Sequence, residues 1–141
     1  MHLIWENNIK NLILLWTTDY KGLDEANGSY HLVDAIWQGI GKDTAEAGST
    51  IPSTYGPHVP NLAMEGGSNI SAEMYSFWTL FLGPVLLCCR FRNEQYYKHF
   101  IQLVVLLNIC LQFEIMRAQI EQLRVGFIKW VQDYEKYFFY A

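Results

Sequence analysis

Histidines, cysteines, a glycine-flanked lysine and a few arginines are the side chains here whose types suit chemistry, and their spacing narrows what each can do. The four histidines, His2, His31, His58 and His99, are scattered. None forms the H-x-x-x-H or H-E-x-x-H pair that would set two imidazoles around one metal. His99, one residue before Phe100 on an apolar stretch, reads as a surface or half-buried side chain. The three cysteines, Cys88, Cys89 and Cys110, make neither a disulfide framework nor a zinc pattern. They read as buried free thiols in a reducing compartment. No serine stands in a nucleophile elbow, and no cysteine has the electropositive surroundings of a catalytic thiol. Gly39-Ile40-Gly41-Lys42-Asp43-Thr44 invites a phosphate-loop reading. That loop needs a glycine where Ile36 stands and a serine or threonine where Asp43 stands, so the reading fails. Residue chemistry alone gives no active site and no metal site.

Charge is distributed unevenly. The chain carries 14 acids and 10 bases, a formal net charge of -4, which argues against a generally basic nucleic-acid-binding surface. Residues 1–73 hold nine acids and three bases, whereas residues 74–141 hold five acids and seven bases. Any DNA contact is therefore to be sought in the second half, at Arg90, Arg92 and Lys98. The alternative is that these three simply solvate a turn and a helix start.

The elements that must position these residues are helical. Apolar residues at 4, 5, 9, 12, 13 and 16 mark one face of a helix over 2–16, with Asn8 at its edge. Residues 17–30, with Gly22 and Gly28, read as a loop. A second helix is expected over about 32–46, starting near His31 or Asp34, carrying Ile36, Trp37 and Ile40 inward and weakened by Gly39 and Gly41. Residues 48–69 hold Pro52, Pro57 and Pro60 with Gly56, Gly66 and Gly67 and show no apolar period. Such a length is unusual inside a domain. It is either a strap laid across the helices through Ile51, Tyr55, Val59 and Leu62 or a segment ordered by parts of a larger protein.

Ser71 caps the next helix, with Glu73 in its first turn. That helix meets Gly83-Pro84, where proline kinks it or starts a short new one. After a turn over 90–93, with Asn93 as a cap, a long helix runs from Glu94 to Phe113. It is apolar almost all round and should be buried on every side at the centre of the body. A last helix over 117–138 puts Ile120, Leu123, Phe127, Val131, Tyr134 and Phe138 inward. It ends in the aromatic run Tyr137-Phe138-Phe139-Tyr140. The expected fold is all-α, an irregular bundle of about four to six helices with a long Gly/Pro-rich connection. It forms a single helical region: N-terminal helices over 1–47, the irregular connection over 48–70 and a helical body over 71–141.

The first residues carry no secretory signal, because no basic segment precedes them and Glu6 and Lys10 interrupt the apolar pattern. The sequons at Asn27 and Asn69 are then idle, and an intracellular location is expected. The apolar stretches over 74–89 and 100–113 fall short of the roughly 20 residues that cross a bilayer. No membrane partner is expected.

Five segments, in order along the chain, resemble one family. MHLIWEN…IKNLILLW, IPSTYGPHVPNLA, SAEMYSFWTLFLGPVLL, EQYYKHFIQLVVLLNICLQFEI and FIKWVQDYEKYFFY are similar to successive pieces of fungal DNA transposases of the CACTA/KDZ type. The resemblance covers essentially the whole chain. It implies a DDE/D, RNase H-like nuclease in which three carboxylates hold two magnesium or manganese ions for strand cleavage and transfer. It aligns this chain with the helical insertion of that enzyme, cut on both sides, and places all three carboxylates outside it. Only His2 carries over, as the histidine beside the metal-binding aspartate of an Asp-x-Met-His signature. The resemblance implies a catalytically incomplete remnant with no cofactor of its own, reaching DNA through the parent protein, and nuclear if that role is kept. Two other classes stand beside it. One is a free-standing helical interaction or oligomerisation module that self-associates through the aromatic C-terminus. The other is a membrane-associated helical protein.

Overall fold

In the computed structural model, which describes residues 2–17, 29–64 and 69–139, every regular element is helical. The rod at the start is wound in two ways. Leu3–Ile9 has the wide i→i+5 turn, and α1 (Lys10–Thr17) continues it. Trp5, Ile9, Leu12, Leu15 and Trp16 are buried, while Ile4 and Ile13 pack at the margin of the core. Asn8, expected at the edge of the stripe, is exposed. Thr17, expected in the loop, instead closes the helix by donating to the Ile13 carbonyl at 2.8 Å. The rest of that expected loop, residues 18–28, lies outside the described residues. The chain re-enters beside the point it left: the Leu32 N–H donates to the Trp16 carbonyl at 2.7 Å.

Helix α2 (Asp34–Ala47) buries Trp37, Ile40, Gly41 and Thr44, with Ile36 half-buried. It starts at Asp34, one of the two expected positions, behind Val33, which makes no side-chain cap bond. Gly41 has a packing role that its helix-weakening character hides. A Cβ there would lie 2.0 Å from Asn61 Oδ1 and 2.7 Å from Ala63 Cβ. The irregular segment crosses α2 at this point, and only glycine lets it come so near. The strap reading is thus borne out for Val59, which is buried, and for Ile51 and Leu62, which pack on the core. It fails for Tyr55, which is 77% exposed. Gly56 takes up the strap's contact instead, lying so close to the Phe77 ring that a Cβ would meet it at 2.2 Å. Residues 65–68 lie outside the described residues.

Helix α3 (Ala72–Phe77) starts as expected, with Ser71 Oγ accepting from the Met74 N–H at 3.2 Å. The helix then widens over Trp78–Leu82 and tightens again in α4 (Gly83–Leu86). Pro84 is the physical cause. Lacking an N–H, it cannot bond the Leu80 carbonyl, and its ring crowds that oxygen. The ladder shifts by one residue, and the Gly83 N–H reaches the Trp78 carbonyl. Proline here does not break the helix but changes its pitch.

Asn93 acts near its expected cap position, its Oδ1 accepting from the Gln95 N–H at 3.0 Å. Helix α5 (Gln95–Cys110) runs through the middle of the body. Phe100 on α5, Trp16 on α1 and Trp78 are fully buried together, with ring centroids 5.6 Å (Trp16–Phe100) and 6.2 Å (Trp78–Phe100) apart. Helix α5 is not buried on every side as its composition suggested, since Val105 and Asn108 are exposed. It also stops at Cys110, leaving Leu111 and Phe113 in solvent. Helix α6 (Arg117–Phe138) has the expected bounds and folds back along α5. Its start is fixed by Gln119, whose Oε1 accepts from the Met116 N–H at 2.9 Å.

Candidate functional site

The expected DNA-contacting residues fall on one corner, between α4 and the first turns of α5. Arg90 and Arg92 are exposed there, and so is Lys98, whose Nζ lies 3.4 Å from Glu94 Oε2. All three expected bases are thus exposed, but one of them already has a carboxylate beside it. His2 is exposed at the far end of the chain, 3.5 Å from Glu6. Among the described residues no three His, Cys, Asp or Glu side chains gather to hold a metal. The donor set for a two-ion magnesium or manganese cluster is not met among them.

The same corner corrects the cysteine expectation. Cys88 and Cys89 are exposed rather than buried, and Cys110 is half-buried. The turn that follows α4 carries both thiols outward because Leu87 takes the core position. Cys89 adopts φ 62°, the one positive φ at a non-glycine residue among the described residues, and its Sγ comes within 3.6 Å of Cys88 Sγ. The hydrogen bond to Cys88 raises the Cys89 pKa. Nearby, Tyr97 donates its hydroxyl to the Pro84 carbonyl. Its phenol is pushed up first by burial and then by Cys88.

His99 is buried, 3% exposed, and neither on the surface nor half-buried as expected. It faces Trp130 of α6 through two reciprocal bonds. Its Nε2 lies 3.0 Å from the Trp130 carbonyl, and the Trp130 indole N–H donates to the His99 carbonyl at 2.9 Å. A carbonyl only accepts, so Nε2 carries the proton. The two rings stack 4.5 Å apart at 10°. Burial, the largest influence, lowers the His99 pKa against the opposing pull of the Trp130 carbonyl and Asp133. The imidazole is therefore a neutral structural donor. Tyr134, Tyr137 and Phe138 close around it.

This lock sets the rotation of α6. A Cβ on Gly126 would stand 2.5 Å from Leu106 Cδ2, so α5 lies close over the glycine. The helix is turned by about 60° from the expected inner face, at 100° per residue. Ile120 and Val131, expected inward, are 56% and 48% exposed, while Leu123, Phe127 and Tyr134 are half-buried and Phe138 is buried. Arg117, Ile120, Arg124, Ile128, Val131 and Glu135 then share the exposed flank. Beside its far end lies a recess of about 370 Å³ lined by Asn8, Asn11, Trp130, Val131, Tyr134, Glu135 and Phe139. The aromatic C-terminus is partly folded away: Phe138 is buried, Tyr137 packs on His99, Phe139 is half in solvent and Tyr140 lies outside the described residues. Among the described residues no helix is long and apolar enough to cross a membrane.

No family model matches the chain, and no curated protein or solved structure matches it.

Proposed function

We propose that this chain is a helical self-association module whose α6 pairs antiparallel with α6 of a second copy. The observation that carries the proposal is the pairing of opposite charges at the two ends of the exposed flank, Arg117 and Glu135, with apolar Ile120 and Val131 inside them. Arg117 and Glu135 are 18 residues apart, five whole turns at 3.6 residues each, so they share one bearing about 27 Å apart. A two-fold axis near Gly126 sets Arg117 of one copy against Glu135 of the other, twice. The same axis sets Ile120 against Val131 and the recess beside it. It also brings Phe113, which is fully exposed, towards Phe139. A surface that meets itself this way is the signature of an isologous dimer. Apolar contact supplies the affinity, and the rim charges set direction, each exposed pair being worth about 0–1 kcal/mol.

Sedimentation equilibrium of the full chain over a range of concentrations tests this. Mass should rise from monomer to dimer, and Ile120→Asp should hold the protein monomeric. Arg117→Glu and Glu135→Arg should each weaken the dimer, and the double swap should restore it. A monomer at every concentration, or a double swap as weak as the singles, refutes the pairing.

A second reading rests on the ordered sequence segments. It makes the chain a helical portion of a transposase-like protein in the nucleus, touching DNA through Arg90 and Arg92 and cutting nothing by itself. Two arginines neutralise too little phosphate for firm binding at physiological salt. Incubation with magnesium and nicked or linear DNA should give no cleavage, and EDTA-sensitive cutting would overturn this reading.

A further inference from the structure

We propose that Cys88 and Cys89 form a bidentate site for a thiophilic trivalent metalloid bearing an organic substituent, with that substituent seated in the adjoining recess. The argument starts from the backbone. Neighbouring side chains on an extended chain point to opposite faces, so two adjacent cysteines do not converge by default. Here the left-handed conformation of Cys89, at φ 62°, turns its thiol back towards Cys88 and holds the sulfurs 3.6 Å apart. A non-glycine residue in that region is strained and persists only where its surroundings demand it.

The sulfur separation selects among possible bridges. A direct disulfide suits Cα atoms about 4.4–6.8 Å apart, whereas adjacent Cα atoms are held at about 3.8 Å. Direct oxidation therefore strains the turn. A pyramidal trivalent centre with bonds to sulfur of about 2.3 Å and an angle between them near 100° needs sulfurs about 3.5 Å apart, close to what is present. A linear two-coordinate ion with similar bonds needs about 4.6 Å, which is too wide. A centre that takes two thiolates and keeps one substituent of its own fits the bite and the ligand count together. The recess beside Cys89, about 260 Å³ and lined by Phe91, Arg92, Glu94 and Tyr97, offers aromatic walls for that substituent. Both thiols are exposed and open to attack. With an arylarsenic(III) oxide each thiol gives up its proton, two arsenic–sulfur bonds form, and the oxide oxygen leaves as one water. No oxidant is needed.

The test uses phenylarsine oxide on the reduced full chain, read by intact-mass spectrometry and a thiol count. One adduct per chain is expected, with free thiols falling from the three of the sequence to one and full release by excess dithiothreitol. Cys88→Ser and Cys89→Gly should each weaken binding by about 100-fold or more, the gain a second intramolecular bond supplies. Glycine at 89 suits the left-handed backbone, so that variant keeps the turn. Cys110→Ser should bind as the parent does. An adduct that survives in either corner variant, or that needs Cys110, overturns the site.

Discussion

Replacing His99 with phenylalanine isolates the buried imidazole from everything else in the α5–α6 lock. Phenylalanine keeps a flat ring against Trp130, and the indole N–H still reaches the backbone carbonyl of residue 99. What disappears is the Nε2 donor to the Trp130 carbonyl and the ability to take up a proton. Above pH 7 the loss is that of one net hydrogen bond, about 1 kcal/mol. The Trp130 carbonyl keeps its place in the helical ladder, so no acceptor is stranded. Below the ordinary histidine pKa of 6.5 the two proteins diverge in slope. The native pKa is lowered by burial, so the parent takes up a proton on unfolding. Its stability is full above pH 6.5 and falls as pH descends towards the native pKa, by at most about 1.4 kcal/mol per unit. His99→Phe lacks this loss, so its deficit at pH 8 shrinks as pH drops to 5. Urea unfolding at fixed pH, followed by far-ultraviolet circular dichroism, gives both curves. Other titrating groups are common to the two proteins and cancel in the difference. A difference that stays constant between pH 8 and 5 would refute a buried neutral His99.

Thr44→Val should destabilise by about 1–3 kcal/mol, because it keeps the volume but strands the buried Trp78 indole N–H, which donates to Thr44 Oγ1 at 3.1 Å. A melting temperature equal to the parent's would show that bond to be absent. Gly41→Ala should also destabilise, although alanine favours helix by about 1 kcal/mol. Its Cβ would meet the strap at Asn61 and Ala63, and overpacking costs about 1–3 kcal/mol. A gain in thermal stability would mean that the strap does not cross α2 there.

The helical class, the Ser71 cap and the bounds of α6 were legible because local pattern decides them. The face that α6 buries was not. An amphipathic period gives the breadth of an apolar sector but not which part meets a neighbour. Here that choice falls to Gly126, which has no side chain to count, and to Trp130, whose partner is 31 residues away. His99 was misplaced for the same reason, since nothing near it in sequence shows that a carbonyl of α6 will accept its proton. The thiols were misread because cysteine is so often buried, and a two-residue turn overruled that tendency. The pairing proposed for α6 would leave a mark in the sequence. Arg117 and Glu135 at an 18-residue spacing, bracketing Ile120 and Val131, give opposite charges at the ends of an apolar pair, a pattern that a search for antiparallel self-pairing finds.

The widened turn over Trp78–Leu82 bears on how this chain tolerates insertion and deletion. One residue added to an α-helix swings everything after it by about 100° and ordinarily ruins the packing of one end. A single i→i+5 turn absorbs such a residue, so Tyr75 and Phe77 before it and Gly83 and Leu87 after it all reach the same core. The segment is thus a helix one residue overlong. Related sequences that lack one residue between positions 78 and 82 would align with an apparent gap inside a helix, yet keep both flanking faces in register.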